Sequence, residues 1–192
     1  MRRLIVGMTG STGAVFGIRL LEALKHAEVE SHLIISKWAQ RTIEHETKHN
    51  VEQVRALATV VHSQGDMGAS ISSGSFITDG MVVVPCTMRT LASIAHGTGD
   101  NLIHRSADVT LKERRKMVIV VRESPLSDIH LENMLKLSRM GVVMIPPMPA
   151  FYNHPKTIDD IVNHIVMRTL DQFGIHLDLM GRWTGAMRTG GS

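Results

Sequence analysis

Five short strand-like runs, mostly of apolar residues, are the feature that most limits the folds open to this chain. They occupy residues 4–8, 29–36, 80–85, 117–121 and 142–145. Most of them are continuous apolar runs, not alternating patterns, which is typical of strands buried on both faces of a parallel sheet. Helical patterns separate the runs and follow the last one. The alternation therefore predicts an α/β fold with a doubly wound parallel sheet in three layers.

The helical patterns differ in how firmly the sequence defines them. Helices are predicted over residues 14–25, 39–47, from 87 onward, and over 100–115, 127–140 and 158–173. The helix over 127–140 is apolar nearly all round, which predicts burial. Thr157 and Asp160 form a capping signal before the last helix. Residues 50–79 are ambiguous, with one short helix and a Ser/Gly-rich connection. We expect one domain over residues 1–180 and a tail over 181–192.

Composition narrows the class of protein. The chain has 192 residues, of which 43% are hydrophobic, so it can bury a substantial core. Its net charge of +3 is mild, and its one dense basic cluster lacks interleaved aromatic residues, which disfavours a nucleic-acid partner. No apolar run reaches the length of a membrane span. The single cysteine, Cys86, excludes an internal disulfide and fits a cytoplasmic protein.

A parallel sheet also predicts where a ligand binds. In open α/β sheets ligands lie beyond the carboxyl ends of the strands. Five segments of the sequence fall there: residues 9–13, 36–37, 85–90, 122–123 and 146–152.

The glycine-rich segment Gly7–Gly13 follows the first predicted strand and opens a helix, where free N–H groups can bind a phosphate. It contains no Walker lysine. An NAD site would place an acidic residue after the second strand, where Ser36 and Lys37 stand instead. A mononucleotide phosphate, as in a flavin, fits better than NAD. A tight turn without a ligand is the alternative.

Other residues at these strand ends have both a functional and a structural interpretation. Thr87 is either a helix cap, a ligand contact or both. Arg122 and Glu123 form either an exposed pair, or an anion site beside a proton carrier. Arg168, at the edge of an apolar helix stripe, either extends to solvent or holds a phosphate. Cys86 has no histidine near it in sequence, which disfavours a nucleophile. His45 and His49 lack a third ligand, so no metal site is predicted.

Taken in order, these segments resemble the UbiX-type flavin prenyltransferases, in particular the B subunits of phenolic-acid (hydroxybenzoate) decarboxylase systems. The resemblance covers nearly the whole chain. It is carried by residues 7–13, 36–37, 85–90, 107–113, 122–134, 146–154 and 170–174. It implies a flavodoxin-like or Rossmann-like subunit of a homododecamer, with FMN bound at subunit interfaces. It further implies metal-free transfer of a dimethylallyl group from dimethylallyl phosphate to N5 and C6 of reduced FMN. The product would serve a UbiD-type aromatic acid decarboxylase.

The resemblance also assigns roles to individual residues. The implied FMN contacts are Ser11, Thr12, Gly13, Ser36, Thr87, Met88, Arg89, Thr90 and Arg122. The implied prenyl-phosphate and catalytic residues are Arg105, Lys112, Glu123, Tyr152 and Arg168, with Trp183 closing the site and Glu46 a looser match. On this interpretation Lys112, Tyr152 and Arg168 stabilise the departing phosphate, and Glu123 carries the proton. Thr87, Arg89 and Val121 depart from the commoner family pattern, but no required group is lost.

Two other functions compete with prenyl transfer. The chain could be a non-catalytic FMN-binding or assembly subunit of a hydroxybenzoate decarboxylase. It could also be a flavoprotein resembling phosphopantothenoylcysteine decarboxylase. That reaction would not need Arg122, Glu123, Tyr152 and Arg168 together, so their presence disfavours it.

Overall fold

A six-stranded, wholly parallel sheet forms the centre of the molecule in the computed structural model, which describes residues 2–185. The strands are β1 (Arg3–Met8), β2 (Glu30–Ile35), β3 (Val60–His62), β4 (Gly80–Cys86), β5 (Lys116–Val121) and β6 (Val143–Met144). Their spatial order is β3-β2-β1-β4-β5-β6. The predicted doubly wound α/β fold is therefore confirmed, with the strand order of dinucleotide-binding sheets.

Within residues 2–185, seven α-helices cover the two faces of the sheet. They are α1 (Ala14–His26), α2 (Lys37–Glu46), α3 (Val51–Arg55), α4 (Met88–His96), α5 (Leu102–Lys112), α6 (Asp128–Arg139) and α7 (Ile158–Asp171). One hydrophobic cluster joins α1, α2, α3 and α7 to the sheet, and a second joins α4, α5 and α6. The capping box of Thr157 and Asp160 begins α7, as predicted.

Each central strand contributes to both clusters by alternation. In β1, Leu4 and Val6 belong to the first cluster, whereas Ile5 belongs to the second. In β5, Val118 and Val120 face the first cluster in the same way. This period of two explains why the strands are continuous apolar runs, because both faces of the sheet are covered.

Two expectations about the fold are wrong. The sequence indicated five strands, but residues 60–62 form a sixth at the edge, pairing only with β2. This strand is too short for its periodicity to stand out. Helix α6 was expected to be buried, yet only Asn133 and Leu137 are, and Ile129 is 68% exposed. Charged side chains such as Asp128, Glu132 and Lys136 interrupt its apolar surface, so α6 is not apolar all round and lies on the surface of the single chain.

The segment after α7 is tied to the domain by side-chain contacts. Arg182 pairs with Asp171, and the Trp183 ring packs edge-on against Tyr152. The part of the expected tail over residues 186–192 lies outside the described residues. None of the helices within residues 2–185 combines the length and apolar character that a transmembrane helix requires.

Candidate active site

A cavity of about 330 Å³ opens beyond the carboxyl ends of β1 and β4, where the strand order reverses direction. Ligands of doubly wound sheets bind at this switch point. We call it the switch-point cavity. Its lining is Thr9, Gly10, Ser36, Trp38, Gln64, Thr87, Arg89, Thr90, Asn101, Ile103 and His104. Four of the predicted cofactor contacts, Ser36, Thr87, Arg89 and Thr90, thus share one cavity.

Two helices begin at this cavity with hydroxyl caps. The Ser36 hydroxyl accepts a hydrogen bond from the Ala39 amide at 3.1 Å and begins α2. The Thr87 hydroxyl accepts from the Thr90 amide at 3.2 Å and begins α4, so the predicted cap is confirmed. Helix N-termini carry partial positive charge and unsatisfied N–H groups. The cavity therefore suits an anionic, phosphate-bearing ligand.

The Thr9 hydroxyl locks the two loops at the switch point together. It donates to the Pro85 carbonyl at 2.8 Å and accepts from the Thr87 amide at 2.9 Å. Thr9 is buried, so both hydrogen bonds are shielded from water. The loop before α4 is thereby held in register with the loop after β1.

The glycine loop after β1 differs in one respect from the expectation. The Glu46 carboxylate accepts hydrogen bonds from the Gly13 and Ala14 amides, at 2.8 and 3.1 Å. Two of the N–H groups at the start of α1 are therefore already paired within the chain. Gly13 has a φ of 99°, a left-handed conformation that favours glycine. A carboxylate of the neighbouring helix α2 thus takes two of the amides that the sequence offered to a phosphate, and the glycine-loop contacts to FMN stay a prediction.

Arg122 and Glu123 are exposed at the carboxyl end of β5. The Ser11 hydroxyl donates to the Arg122 carbonyl at 2.9 Å, which joins the predicted Ser11–Gly13 contacts to this strand end. Among the described residues, 2–185, the Glu123 carboxylate accepts only from the Ser124 amide, at 3.1 Å. Cys86 is fully buried beside them, and burial raises the pKa of its thiol, which agrees with the view that it is no nucleophile.

Tyr152, one of the predicted catalytic residues, lies in the loop before α7 and contacts a second group of side chains beside that helix. Its hydroxyl is 3.0 Å from Nε2 of His164, and its ring lies 5.7 Å from the ring of Trp183 at a steep angle. Burial and the nearby Arg168 lower the pKa of His164. Two predicted residues, Tyr152 and Trp183, therefore form an aromatic corner supported by a neutral histidine.

Arg168 is exposed and pairs with Asp171, the residue one turn further along α7. The Arg168 Nη1 lies 3.3 Å from Asp171 Oδ2. Arg182 binds the same carboxylate through two bonds of 2.9 Å, and His176 adds a third at 2.9 Å. Hydrogen bonds from Arg182 and His176 lower the pKa of Asp171 to about 2. Arg182 thus holds Asp171 more closely than Arg168 does, which leaves Arg168 largely open to solvent.

Lys112 and Arg105 lie on α5, on the opposite face of the sheet from α7. Lys112 ends α5 just before β5 begins, which places it near the amino edge of the sheet; it pairs with Glu113. Arg105 donates to the Ser72 carbonyl and pairs with Asp108. Within residues 2–185 no hydrogen bond or ion pair joins either residue to Glu123, Tyr152 or Arg168. One chain alone does not bring the predicted prenyl-phosphate residues together.

Several residues of these groups escaped sequence reasoning. Trp38, Gln64, Asn101 and His104 line the switch-point cavity. Asn101 caps α5 by accepting from two amides, a signal visible in the sequence as an asparagine before an apolar run. His104 gave no such signal; its burial lowers its pKa and favours the neutral ring.

No cluster of three or more metal-ligating side chains occurs among residues 2–185. The metal-free reaction stays a prediction.

Sequence comparison decides between the families that share this fold. The flavoprotein family matches residues 1–170. A "Probable UbiX-like flavin prenyltransferase" of Bacillus subtilis is 58% identical over 95% of this chain and 90% of its own length. The chain belongs to the UbiX-like flavin prenyltransferases. "Flavin prenyltransferase LpdB" of Lactiplantibacillus plantarum is 53% identical over 96% of this chain and all of its own. The suspected resemblance is confirmed.

Solved structures agree with this assignment. A dodecameric FMN-dependent UbiX-like decarboxylase of Escherichia coli O157:H7 is 61% identical, with a TM-score of 0.94 over 95% of this chain and 100% of its own. AnUbiX (PadA1), solved with FMN and dimethylallyl pyrophosphate, is 53% identical, with a TM-score of 0.96 over 97% and 99%. A phosphopantothenoylcysteine decarboxylase shares only the fold, at 18% identity and a TM-score of 0.60.

Proposed function

We propose that this chain is a flavin prenyltransferase that joins a dimethylallyl group to N5 and C6 of reduced FMN. The observation that carries the proposal is its near-complete match to AnUbiX, whose structure contains both FMN and a dimethylallyl phosphoester. The donor is proposed to be dimethylallyl phosphate. The flavin supplies the nucleophilic ring; the protein supplies binding, orientation and charge.

The switch-point cavity fits FMN on the chemistry of its lining. Hydroxyls of Ser36, Thr87 and Thr90 stand at two helix N-termini, and the Arg89 side chain adds a positive charge. Gly10 packs directly against Trp38, since an added Cβ at Gly10 would overlap Trp38. We propose these residues, with Met88, as FMN contacts. Ser11, Thr12, Gly13 and Arg122 are proposed to border the same ligand from the neighbouring loops.

The residues around α7 are proposed to handle the prenyl donor. The Arg168 guanidinium and the Tyr152 hydroxyl would stabilise negative charge on the departing phosphate. The Tyr152–Trp183 corner offers π-rich faces that would stabilise an allylic cation. Glu123, exposed at the end of β5, is proposed to donate a proton to phosphate and to take the proton from flavin C6.

Completion of this site is proposed to require further copies of the chain. Lys112 and Arg105 lie on α5, on the opposite face of the sheet from α7, which carries Arg168. Within residues 2–185 no hydrogen bond or ion pair joins them to Tyr152 or Arg168. An E. coli relative is dodecameric, and α6 of this chain exposes Ile129 and Leu135. Apolar area of this kind favours association of copies. We propose an oligomer, a dodecamer by analogy, in which Lys112 and Arg105 reach a neighbouring copy's prenyl site.

The product is proposed to serve a UbiD-type aromatic acid decarboxylase. This partner follows from the family resemblance alone. A cytoplasmic location also stays a prediction, which rests on the single cysteine.

The direct test is to incubate the protein anaerobically with reduced FMN and dimethylallyl phosphate, then measure flavin mass and absorption. We expect the mass and spectrum of prenylated FMN, and none when the prenyl donor is omitted. Dimethylallyl diphosphate in a parallel reaction identifies the preferred donor. FMN binding without prenylated product would contradict the proposal and favour the non-catalytic subunit.

A further inference from the structure

A second, larger cavity lies beyond the carboxyl ends of β2 and β3, beside the switch-point cavity. Its volume is about 740 Å³. We call it the Arg55 cavity. Its lining is Ile35, Lys37, Gln40, Arg55, Val61, His62, Ser63, Gln64, Gly65, Arg89, Asp100 and Asn101. These residues come from the ends of α2, α3, β3 and α4 and from the segment before α5.

The charge around this cavity favours an anion. Lys37, Arg55 and Arg89 contribute three positive charges, against the single carboxylate of Asp100. Within residues 2–185, the side chains of Lys37 and Arg89 form no hydrogen bond or ion pair. The Nε of Arg55 is buried without a hydrogen-bond partner, although its Nη1 pairs with the exposed Glu52 at 2.5 Å. A buried, unpaired guanidinium N–H is costly unless a ligand accepts from it.

The Arg55 cavity shares a wall with the switch-point cavity. Gln64, Arg89 and Asn101 line both. The Gln64 side-chain oxygen accepts from the Lys37 backbone amide at 3.1 Å, and the Gln64 backbone carbonyl accepts from the Leu102 amide at 2.9 Å. Gln64 is thus fixed between α2 and α5. The two cavities are therefore adjacent, and Arg89 lies at the boundary between them.

The remaining lining suits a nucleoside better than a bare ion. Amide groups of Gln40, Gln64 and Asn101 provide donors and acceptors for ribose hydroxyls and a base edge. Burial and the neighbouring His32 lower the pKa of His62, which favours the neutral ring at neutral pH, and a flat imidazole can stack on a base. The volume lies within the range of small-molecule sites. Inorganic phosphate alone would leave most of it unfilled.

We propose that the Arg55 cavity binds a nucleoside 5′-monophosphate, with the phosphoryl group beside Arg55, Lys37 and Arg89. Two sources share this chemistry. One is a free nucleotide such as AMP. The other is the AMP half of FAD, whose flavin half would occupy the switch-point cavity. Only the second source rests on the proposed flavin function.

The test titrates AMP, inorganic phosphate, FMN and FAD into the full chain by calorimetry. Arg55→Gln and Lys37→Gln remove cations of the cavity, and Arg139→Gln on exposed α6 is the matched control. We expect AMP to bind more tightly than inorganic phosphate. We expect Arg55→Gln to weaken AMP about tenfold, the loss typical of a guanidinium–phosphate contact. FMN affinity should stay unchanged in Arg55→Gln and Arg139→Gln.

The FAD titration separates the two sources. If FAD binds more tightly than FMN, and Arg55→Gln removes that advantage, the dinucleotide spans both cavities. If only AMP responds to Arg55→Gln, the site takes a free nucleotide. Equal binding of AMP and phosphate, or no effect of Arg55→Gln and Lys37→Gln on any ligand, would overturn the proposal. If the native chain binds AMP but forms no prenylated FMN, the proposed function alone is overturned.

Discussion

The Ser11 hydroxyl donates a hydrogen bond of 2.9 Å to the backbone carbonyl of Arg122, 111 residues away. This hydrogen bond connects the glycine loop after β1 to the end of β5, where Glu123 directly follows Arg122. It is accessible to solvent, so its free energy is that of a modest hydrogen bond, about 1 kcal/mol.

We expect Ser11→Ala to weaken FMN binding about fivefold, because about 1 kcal/mol of loop positioning is lost. Flavin fluorescence titration measures the dissociation constant. Ser75→Ala is the control, because it removes an exposed hydrogen bond between Ser73 and Ser75 before β4 begins, away from the carboxyl ends of the strands. It should leave the dissociation constant unchanged. Equal affinity of native protein and Ser11→Ala would show that the bond has no role in FMN binding.

Glu123→Gln tests the proposed proton carrier. Because the amide cannot donate or accept the proton of a carboxyl group, we expect turnover to fall roughly 10²–10⁴-fold with FMN still bound. Quantifying prenylated flavin by mass spectrometry measures it. Glu44→Gln, an exposed carboxylate on α2, should retain native turnover. A Glu123→Gln protein as fast as the native one would remove Glu123 from the chemistry.

Asp171→Asn tests the carboxylate that joins α7 to Arg182. Since Arg182 and His176 lower the pKa of Asp171 to about 2, its stabilisation is fully present above its ordinary pKa of 3.8. It is lost as pH falls from 3.8 towards 2. We expect the variant to lose roughly 1.5–3 kcal/mol of unfolding free energy at neutral pH. The gap from the native protein should narrow at about pH 3.

Urea unfolding at both pH values measures the effect of Asp171→Asn. Asp159→Asn, which loses only an exposed ion pair with Arg19, should change stability by less than about 1 kcal/mol. A loss of stability that is constant with pH would contradict the argument from the Asp171 pKa.

His62 links acid sensitivity to the edge of the sheet. The Nε2 of His62 lies 2.8 Å from Nδ1 of His32, and the Nε2 of His32 lies 2.8 Å from a carboxylate oxygen of Glu30. The carboxylate of Asp66 is also close to His62. Burial and His32 lower the pKa of His62 below 6.5. The unfolded chain therefore binds a proton more readily, and stability falls as pH drops below about 6.5.

Between about pH 7.5 and about pH 5.5, we expect the unfolding free energy of His62→Gln to fall less than that of the native protein. The reason is that the glutamine side chain cannot take up a proton. Chemical unfolding at each pH measures the slope. The exposed His26→Gln serves as control and should follow the native curve. Identical slopes for all three proteins would exclude His62 as a source of acid sensitivity.

The exposed face of α6 predicts how the chain associates. Leu131 and Leu135 lie one turn apart and are 48% and 51% exposed. We expect Leu131→Lys with Leu135→Lys to reduce the oligomer to smaller species in gel filtration with light scattering, because charge opposes apolar burial. Lys136→Glu on the same helix is the control. An unchanged oligomer in the double variant would place the interface elsewhere.

The sequence predicted the parallel sheet because both faces of β1, β4 and β5 are buried, which leaves an unmistakable apolar run. It missed β3 because three half-exposed residues carry no usable period. It placed Ser36, Thr87 and Thr90 correctly at strand ends, since topology alone brings those ends together. It could not place Lys112 relative to Tyr152, because α5 and α7 pack on opposite faces and no local pattern reports that separation.

The Glu46 carboxylate, seated on the Gly13 and Ala14 amides, has a consequence for ligand choice. In dehydrogenases with this strand order, the corresponding amides cradle the pyrophosphate of a nicotinamide dinucleotide. Here the pyrophosphate would meet the Glu46 carboxylate in place of free amide N–H groups. The chain keeps the dehydrogenase scaffold, yet an acidic side chain from α2 occupies two of the amides that would hold the pyrophosphate of that scaffold's best-known coenzyme.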